Sequence, residues 1–81
     1  MQNIVGPRVR QARRARQPKL TQDGLAALLQ LSGVDRDRTA ITKIEQQQRV
    51  VSDIELAALA TALGVSSSWL LGETDDPLRQ K

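Results

Sequence analysis

The amino-acid sequence predicts a small all-α domain of five helices, and three observations carry that prediction. The 81 residues are 40% hydrophobic yet contain no Phe, no Tyr and one Trp, so the core must be built from Leu, Ile, Val and Ala, a mix that favours helix packing over a sheet sandwich. Apolar residues recur at intervals of three and four, the period of a helix face. Ser, Thr and Asp stand ahead of these runs and glycines behind them, as at helix starts and stops. At this length the chain is one domain with one modest core.

Composition also removes classes of function. There is no Cys and no His, so a disulfide framework and a thiolate metal site are excluded, and the commonest metal ligand and general base is missing. With no phosphate-cradling glycine loop and no evident pairing of nucleophile and base, an enzyme is not expected, nor a cofactor. The longest unbroken apolar run, residues 25–29, is far short of a membrane span. No signal-peptide pattern opens the chain, so a cytoplasmic protein without a membrane partner is expected.

The net charge of +3 is unevenly spread. Residues 1–49 carry ten Lys or Arg against Asp23, Asp35, Asp37 and Glu45, a net +6. Residues 50–81 carry two against Asp53, Glu55, Glu73, Asp75 and Asp76, a net −3. A polyanion facing the first half is the natural partner for such a chain, and the acidic rear half is a candidate surface for a protein partner.

Each helix has its own signals. Gly6-Pro7 followed by residues 8–17 reads as a helix with Pro at its first position. Val5, Val9, Ala12 and Arg16 fall on one stripe, with Arg10, Gln11 and Arg14 outside. Pro18 should stop it, because Pro disfavours helical geometry in the residue ahead. Thr21 is the N-cap of the second helix and Asp23 sits favourably in its first turn. Leu25, Leu28 and Leu29 give its buried face, Gly24 marks a close approach, and Gly33 is the natural stop. Asp37 then caps a third helix, 38–46, whose inner face is Ile41 and Ile44 and whose outer face crowds Thr39, Lys43 and Gln46. Arg38 joins them in the first turn, and such a face has the chemistry to read phosphates and base edges. Ser52-Asp53-Ile54-Glu55 is a capping box. Behind it Leu56, Leu59, Ala60 and Leu63 form an apolar stripe ended by Gly64. Ser66 caps a last short helix through Leu71, closed by Gly72. Residues 73–81 read as a frayed polar tail, so the domain is 1–72.

A second and third helix separated by a loop, with the third carrying an exposed polar row, form a helix-turn-helix arrangement. Leu20-Thr21-Gln22 with Leu25-Ala26, then Ile41-Thr42-Lys43-Ile44-Glu45, then Leu56-Ala57 through Ala62-Leu63-Gly64-Val65-Ser66, resembles the phage repressor and Cro-type helix-turn-helix family. The resemblance spans roughly residues 4–72 and implies a five-helix repressor-like domain whose third helix enters the major groove of double-stranded DNA. By that resemblance Arg38, Thr39 and Lys43 are the candidate base readers, with Thr42 and Gln46 at the margin. Thr21 and Gln22 match positions that hold the DNA backbone, and Arg13 and Glu45 match an ion pair that ties the first helix to the third. Arg10, Arg14, Lys19 and Arg49 are further candidates for phosphate contacts.

Two departures from the family pattern stand out. The link between the second and third helices is longer than usual, so either the second helix runs on or the loop bulges toward DNA with Arg36 at its tip. Gln47 stands where the family tends to have Gly. Trp69 and Leu71 are open between two assignments, core or a patch that pairs protomers. One reading helix covers few base pairs, so a homodimer on half-sites about 34 Å apart is expected. The function implied is a sequence-specific transcriptional regulator, a repressor. The alternatives are the antitoxin of a toxin pair that autoregulates its operator, or an interaction adaptor that keeps the fold.

Overall fold

The structure is a computed structural model that describes residues 4–79. Its elements are α1 (Val5–Ala15), α2 (Gln22–Leu31), α3 (Arg38–Glu45), α4 (Asp53–Leu63) and α5 (Ser67–Leu70), with no strand among the described residues. None of these helices is long and apolar enough to cross a membrane.

Val9, Leu25, Leu29, Ile41, Ile44, Leu59 and Leu70 are fully enclosed, with Trp69 and the α4 residues Ala58 and Ala60 among those completing the core. Truncating any one of these leucines to alanine would cost about 2–5 kcal/mol, because the surrounding side chains relax only partly into the hole. Helix α4 lies against α1, α2 and α5. It is therefore buried over a wider arc than a single stripe, enclosing Ala58 as well as Leu59, Ala60 and Leu63 while Leu56 is only half-covered. Helix α3 packs against α1 and α2.

The expected caps form. The side chains of Thr21, Asp37, Ser52 and Ser66 accept from the backbone N–H of Gly24, Ala40, Glu55 and Trp69, respectively. Helix α1 departs from expectation. It begins at Val5, after Ile4 with no side-chain cap, so Pro7 is its third residue and not its first. The reason is that all four leading N–H groups of a helix lack an intrahelical partner, so the missing N–H of Pro is tolerated anywhere in that turn. Starting earlier buries Val5 and Gly6. A Cβ at Gly6 would run into the carbonyl oxygen of Ile44, so this glycine lets α1 close on the end of α3. At Gly24 the close approach is to the Leu20 side chain, 2.9 Å from where a Cβ would stand.

Arg16 does not lie on the buried stripe. Helix α1 ends one residue earlier, and Arg16 donates from Nη1 to the Ala62 carbonyl at 2.9 Å, serving the unsatisfied C-terminal carbonyls of α4 instead of its own helix. Residues 73–79 are not frayed. The Ser66 N–H donates to Pro77 O at 2.6 Å, and Arg8 reaches back from α1 to the carbonyls of Trp69 at 2.5 Å and Thr74 at 2.8 Å. The Arg8 guanidinium also lies 4.8 Å from the centre of the Trp69 ring and 3.3 Å from Asp75. Gln80 and Lys81 lie outside the described residues.

Four helices close in the same way, with crossed hydrogen bonds from the two residues that follow the cap. The pairs run from Gly33 and Val34, Gln47 and Gln48, Gly64 and Val65, and Gly72 and Glu73 back into α2, α3, α4 and α5. This closure needs a left-handed residue, and three of the four are Gly. The fourth is Gln47, at φ +61°. A side chain there costs roughly 1–2 kcal/mol, partly offset by the roughly 0.5–1 kcal/mol of extra chain entropy that Gly would lose on folding. Gln47→Gly is expected to stabilise the fold by about 0.5–1 kcal/mol and raise the melting temperature by roughly 2–8 °C. A calorimetric scan with an unchanged or lower Tm would show that the Gln47 side chain contributes more by its contacts than its backbone costs.

Candidate nucleic-acid interface

Helix α3 presents its polar face because its other face is pinned. Ile41 and Ile44 are fully buried, Asp37 caps the first turn at 3.0 Å from the Ala40 nitrogen, and Arg38, Thr39, Lys43 and Gln46 are left exposed. Thr42 is half-buried. Its hydroxyl lies 3.0 Å from both Gln22 Oε1 and the Arg38 carbonyl, so its proton is committed inward. A methyl or an inward-facing hydroxyl cannot read a base acceptor as a free one would, which keeps Thr42 at the margin of the face.

Gln22 connects the start of α2 to the end of α3. Its Nε2 donates to Glu45 Oε1 at 3.2 Å, and its carbonyl oxygen faces Thr42. It therefore braces Thr42 and Glu45, not Arg38. Arg38 instead stands 3.9 Å from Asp23, with both side chains mostly exposed at 67% and 74%. A pair so open to solvent contributes little, so Arg38 remains available to another acceptor.

Arg13 and Glu45 form a bidentate pair, Nε to Oε2 at 2.7 Å and Nη2 to Oε1 at 3.0 Å, with side chains 9% and 3% exposed, respectively. The third guanidinium nitrogen donates to the Leu20 carbonyl at 3.1 Å. Glu45 holds the Arg13 guanidinium more basic than usual through the hydrogen bond, which outweighs the opposing effect of burial. One ion pair thus joins α1, α3 and the turn that leads into α2.

Above this pair lies an open groove walled by Arg10 and Arg14 of α1, Lys19, the Thr21-Gln22-Asp23 start of α2, and Arg38 and Gln46 of α3. With Arg13 and Glu45 cancelling each other, the groove holds four cations, Arg10, Arg14, Lys19 and Arg38, against Asp23 alone. Residues that are far apart in sequence therefore share one cationic surface with the α3 face. An extended polyanion is its natural complement.

Two arginines are drawn elsewhere. The link between α2 and α3 neither extends α2, which stops at Leu31, nor bulges outward with Arg36 at its tip. Arg36 turns back and donates from Nε to Glu55 Oε2 at 2.5 Å, and Arg49 donates from Nη2 to the same oxygen at 2.6 Å. Glu55 is the second half of a capping box, as its spacing from Ser52 predicts, and accepts the Ser52 N–H at 2.9 Å. A capping-box glutamate is ordinarily at the surface; this one is 1% exposed. No pattern in the sequence points from these arginines to Glu55, because Arg36 stands between Asp35 and Asp37, both nearer in the chain. Burial pushes the Glu55 carboxyl up, but the Arg36 hydrogen bond, the Ser52 N–H and the charges of Arg49 and Arg36 together hold it below the usual carboxylate value.

Trp69 is buried within the chain, under the Arg8 guanidinium, whereas Leu71 is 45% exposed. The indole is thus part of the core of the chain itself, and of the two only Leu71 faces outward. In the acidic half Glu55 is enclosed, while Asp53, Glu73, Asp75 and Asp76 are exposed carboxylates, Asp75 standing 3.3 Å from Arg8.

Arg13→Ala leaves Glu45 buried without its cation, and is expected to cost about 3–5 kcal/mol. The melting temperature should drop by roughly 12 °C or more; a drop of only a few degrees would mean that Glu45 finds water or another donor. For Glu55 the unfolded carboxyl titrates near pH 4.3 and the folded one lower. As pH falls the unfolded chain is protonated first, so the stability this group adds is full above about pH 5 and is lost progressively below roughly pH 4. Glu55→Gln should flatten that acid limb in denaturant melts taken from pH 7 to pH 3, and an unchanged slope would assign the acid sensitivity to other carboxylates.

Compared with models of known protein families, with curated proteins and with solved structures, the chain matches none of them.

Proposed function

We propose that this protein is a sequence-specific DNA-binding transcriptional regulator, a repressor acting as a homodimer, in which α2 and α3 form a helix-turn-helix and α3 reads the major groove. The observation that carries the reading is the alignment of the free α3 face, Arg38, Thr39 and Lys43, with the cationic groove of Arg10, Arg14 and Lys19. Affinity and specificity come from different residues on that surface. The arginines and lysine of the groove attract phosphates without regard to sequence. Arg38 and Lys43 can each donate to the two acceptors of a guanine edge, and the Thr39 methyl suits a thymine methyl. Thr21 and Gln22 bring the N-terminal N–H groups of α2 to the same surface, where they favour a phosphate. The mechanism is occupancy, with no bond made or broken.

The fold length of α3, eight residues, spans about 12 Å and covers only a few base pairs. A second protomer on the next turn of the duplex supplies the missing discrimination, and half-sites about 34 Å apart follow from the helical repeat of DNA.

Selection from a random duplex pool at physiological salt is expected to enrich an inverted repeat with that spacing. Lys43→Ala or Arg38→Ala should then weaken the selected duplex about tenfold or more and relax preference at one base of each half-site. Arg14→Ala should weaken all duplexes alike and lower the salt slope by about one. Retention without any enriched sequence, vanishing as salt rises, would remove the base readers and leave a phosphate-binding surface. No retention at all would overturn the reading, and a small protein co-purifying with the chain would then favour the antitoxin or adaptor.

A further inference from the structure

We infer that Glu55 is a positioning residue for the reading helix, a buried carboxylate on α4 that ties down both flanks of α3. The inference rests on the reading of α3 given above for its function, though not for its geometry.

Arg36 lies two residues ahead of the first residue of α3 and Arg49 four residues beyond its last. Both guanidiniums converge on one oxygen, Oε2, at 2.5 and 2.6 Å. The capping role uses the other oxygen, Oε1, which accepts the Ser52 N–H. The two roles of Glu55 are therefore separated by atom, and a cap alone accounts for neither arginine nor the near-complete burial of the carboxylate.

Helix α3 needs such a tie. It packs on α1 and α2, whereas α4 packs on α1, α2 and α5, so direct apolar contact between α3 and α4 is slight. Ile41 and Ile44 pin the inner face, and Glu45 and Thr42 are held from the α1 and α2 sides, so rotation and tilt of this two-turn helix relative to α4 are opposed mainly through the residues that flank it. Two charged hydrogen bonds to a desolvated oxygen, one at each flank, resist both motions. They also occupy two arginines that would otherwise be free cations beside the DNA-facing surface. The clamp thus fixes the geometry that discriminates between sequences and withholds charge that would strengthen indiscriminate binding.

Amide hydrogen exchange on the wild type, Glu55→Gln, Arg49→Gln and Ser52→Ala tests it. In Glu55→Gln and Arg49→Gln the amides of Ile41, Thr42, Lys43 and Ile44 are expected to exchange about ten- to a hundredfold faster, with α1 and α5 unchanged. Ser52→Ala, which removes the cap and leaves both arginines in place, should spare α3. On DNA, the first two variants should lose about ten- to a hundredfold in affinity for the selected duplex while a scrambled duplex binds equally or more tightly with a steeper salt dependence.

Unchanged exchange in α3, or an equal rise in every helix, would overturn the clamp. So would a loss of affinity shared equally by selected and scrambled duplexes. Arg49→Gln keeps the test decisive if Glu55→Gln fails to fold, because it leaves the Glu55 charge paired with Arg36. If the wild type binds no duplex, the proposed function fails while the exchange data still decide the clamp.

Discussion

The Arg13–Glu45 pair is the constraint on which the arrangement of this domain depends. A carboxylate on the inner edge of α3 would be costly among aliphatic side chains, and a lone guanidinium hardly less so. Together, with Leu20 O and Gln22 taking up further hydrogen-bonding capacity, they form a satisfied unit at the junction of α1, α2 and α3. No buried side-chain polar atom among the described residues is left without a partner. Well-packed apolar residues of the same volume often serve stability as well as such a pair or better. What it does enforce is a register: the carboxylate meets both guanidinium nitrogens only when α1 and α3 stand at one relative position, the same position that Gly6 permits against Ile44 O.

Two buried glutamates divide the arginines of this chain into those that hold the fold and those that face outward. Glu45 takes Arg13, and Glu55 takes Arg36 and Arg49. Backbone carbonyls take Arg8 and Arg16. Five of the ten cations in the basic half are thereby internal links. The charge asymmetry of the sequence overstates the free positive surface, which is the narrower set of Arg10, Arg14, Lys19, Arg38 and Lys43. A narrower set is also a more directional one, since Arg10, Arg14, Lys19 and Arg38 wall a single groove.

Helix termination adds a second level of consistency. Where the stop is used only for geometry, at Gly33, Gly64 and Gly72, the left-handed residue is Gly. At the end of α3 the same crossed hydrogen bonds are made with Gln47, at a cost in backbone energy. Its side chain stands beside Gly6, at the contact of α1 with the end of α3. The strained position is therefore the one next to the candidate interface, where a chain tolerates a local conflict more readily than in its core.

The all-α class, the number of helices, their caps at Thr21, Asp37, Ser52 and Ser66, and the stops at Gly33, Gly64 and Gly72 were legible in the sequence by itself. Each of these depends on residues three or four apart, within reach of a side chain and its own backbone. The exposed row on α3 was legible for the same reason, because Thr39 and Lys43 fall roughly half a turn around the helix from Ile41 and Ile44. Tertiary structure decided the rest. Whether Trp69 is core, whether residues 73–79 are attached, and where Arg8, Arg36 and Arg49 send their charge turn on partners as close as 6 and as far as 67 residues away. An arginine has the same composition and the same pattern in sequence whether it ends on a buried glutamate or in solvent. Only the packing that removes water from Glu55 makes that oxygen the stronger acceptor, and packing is a property of the folded chain.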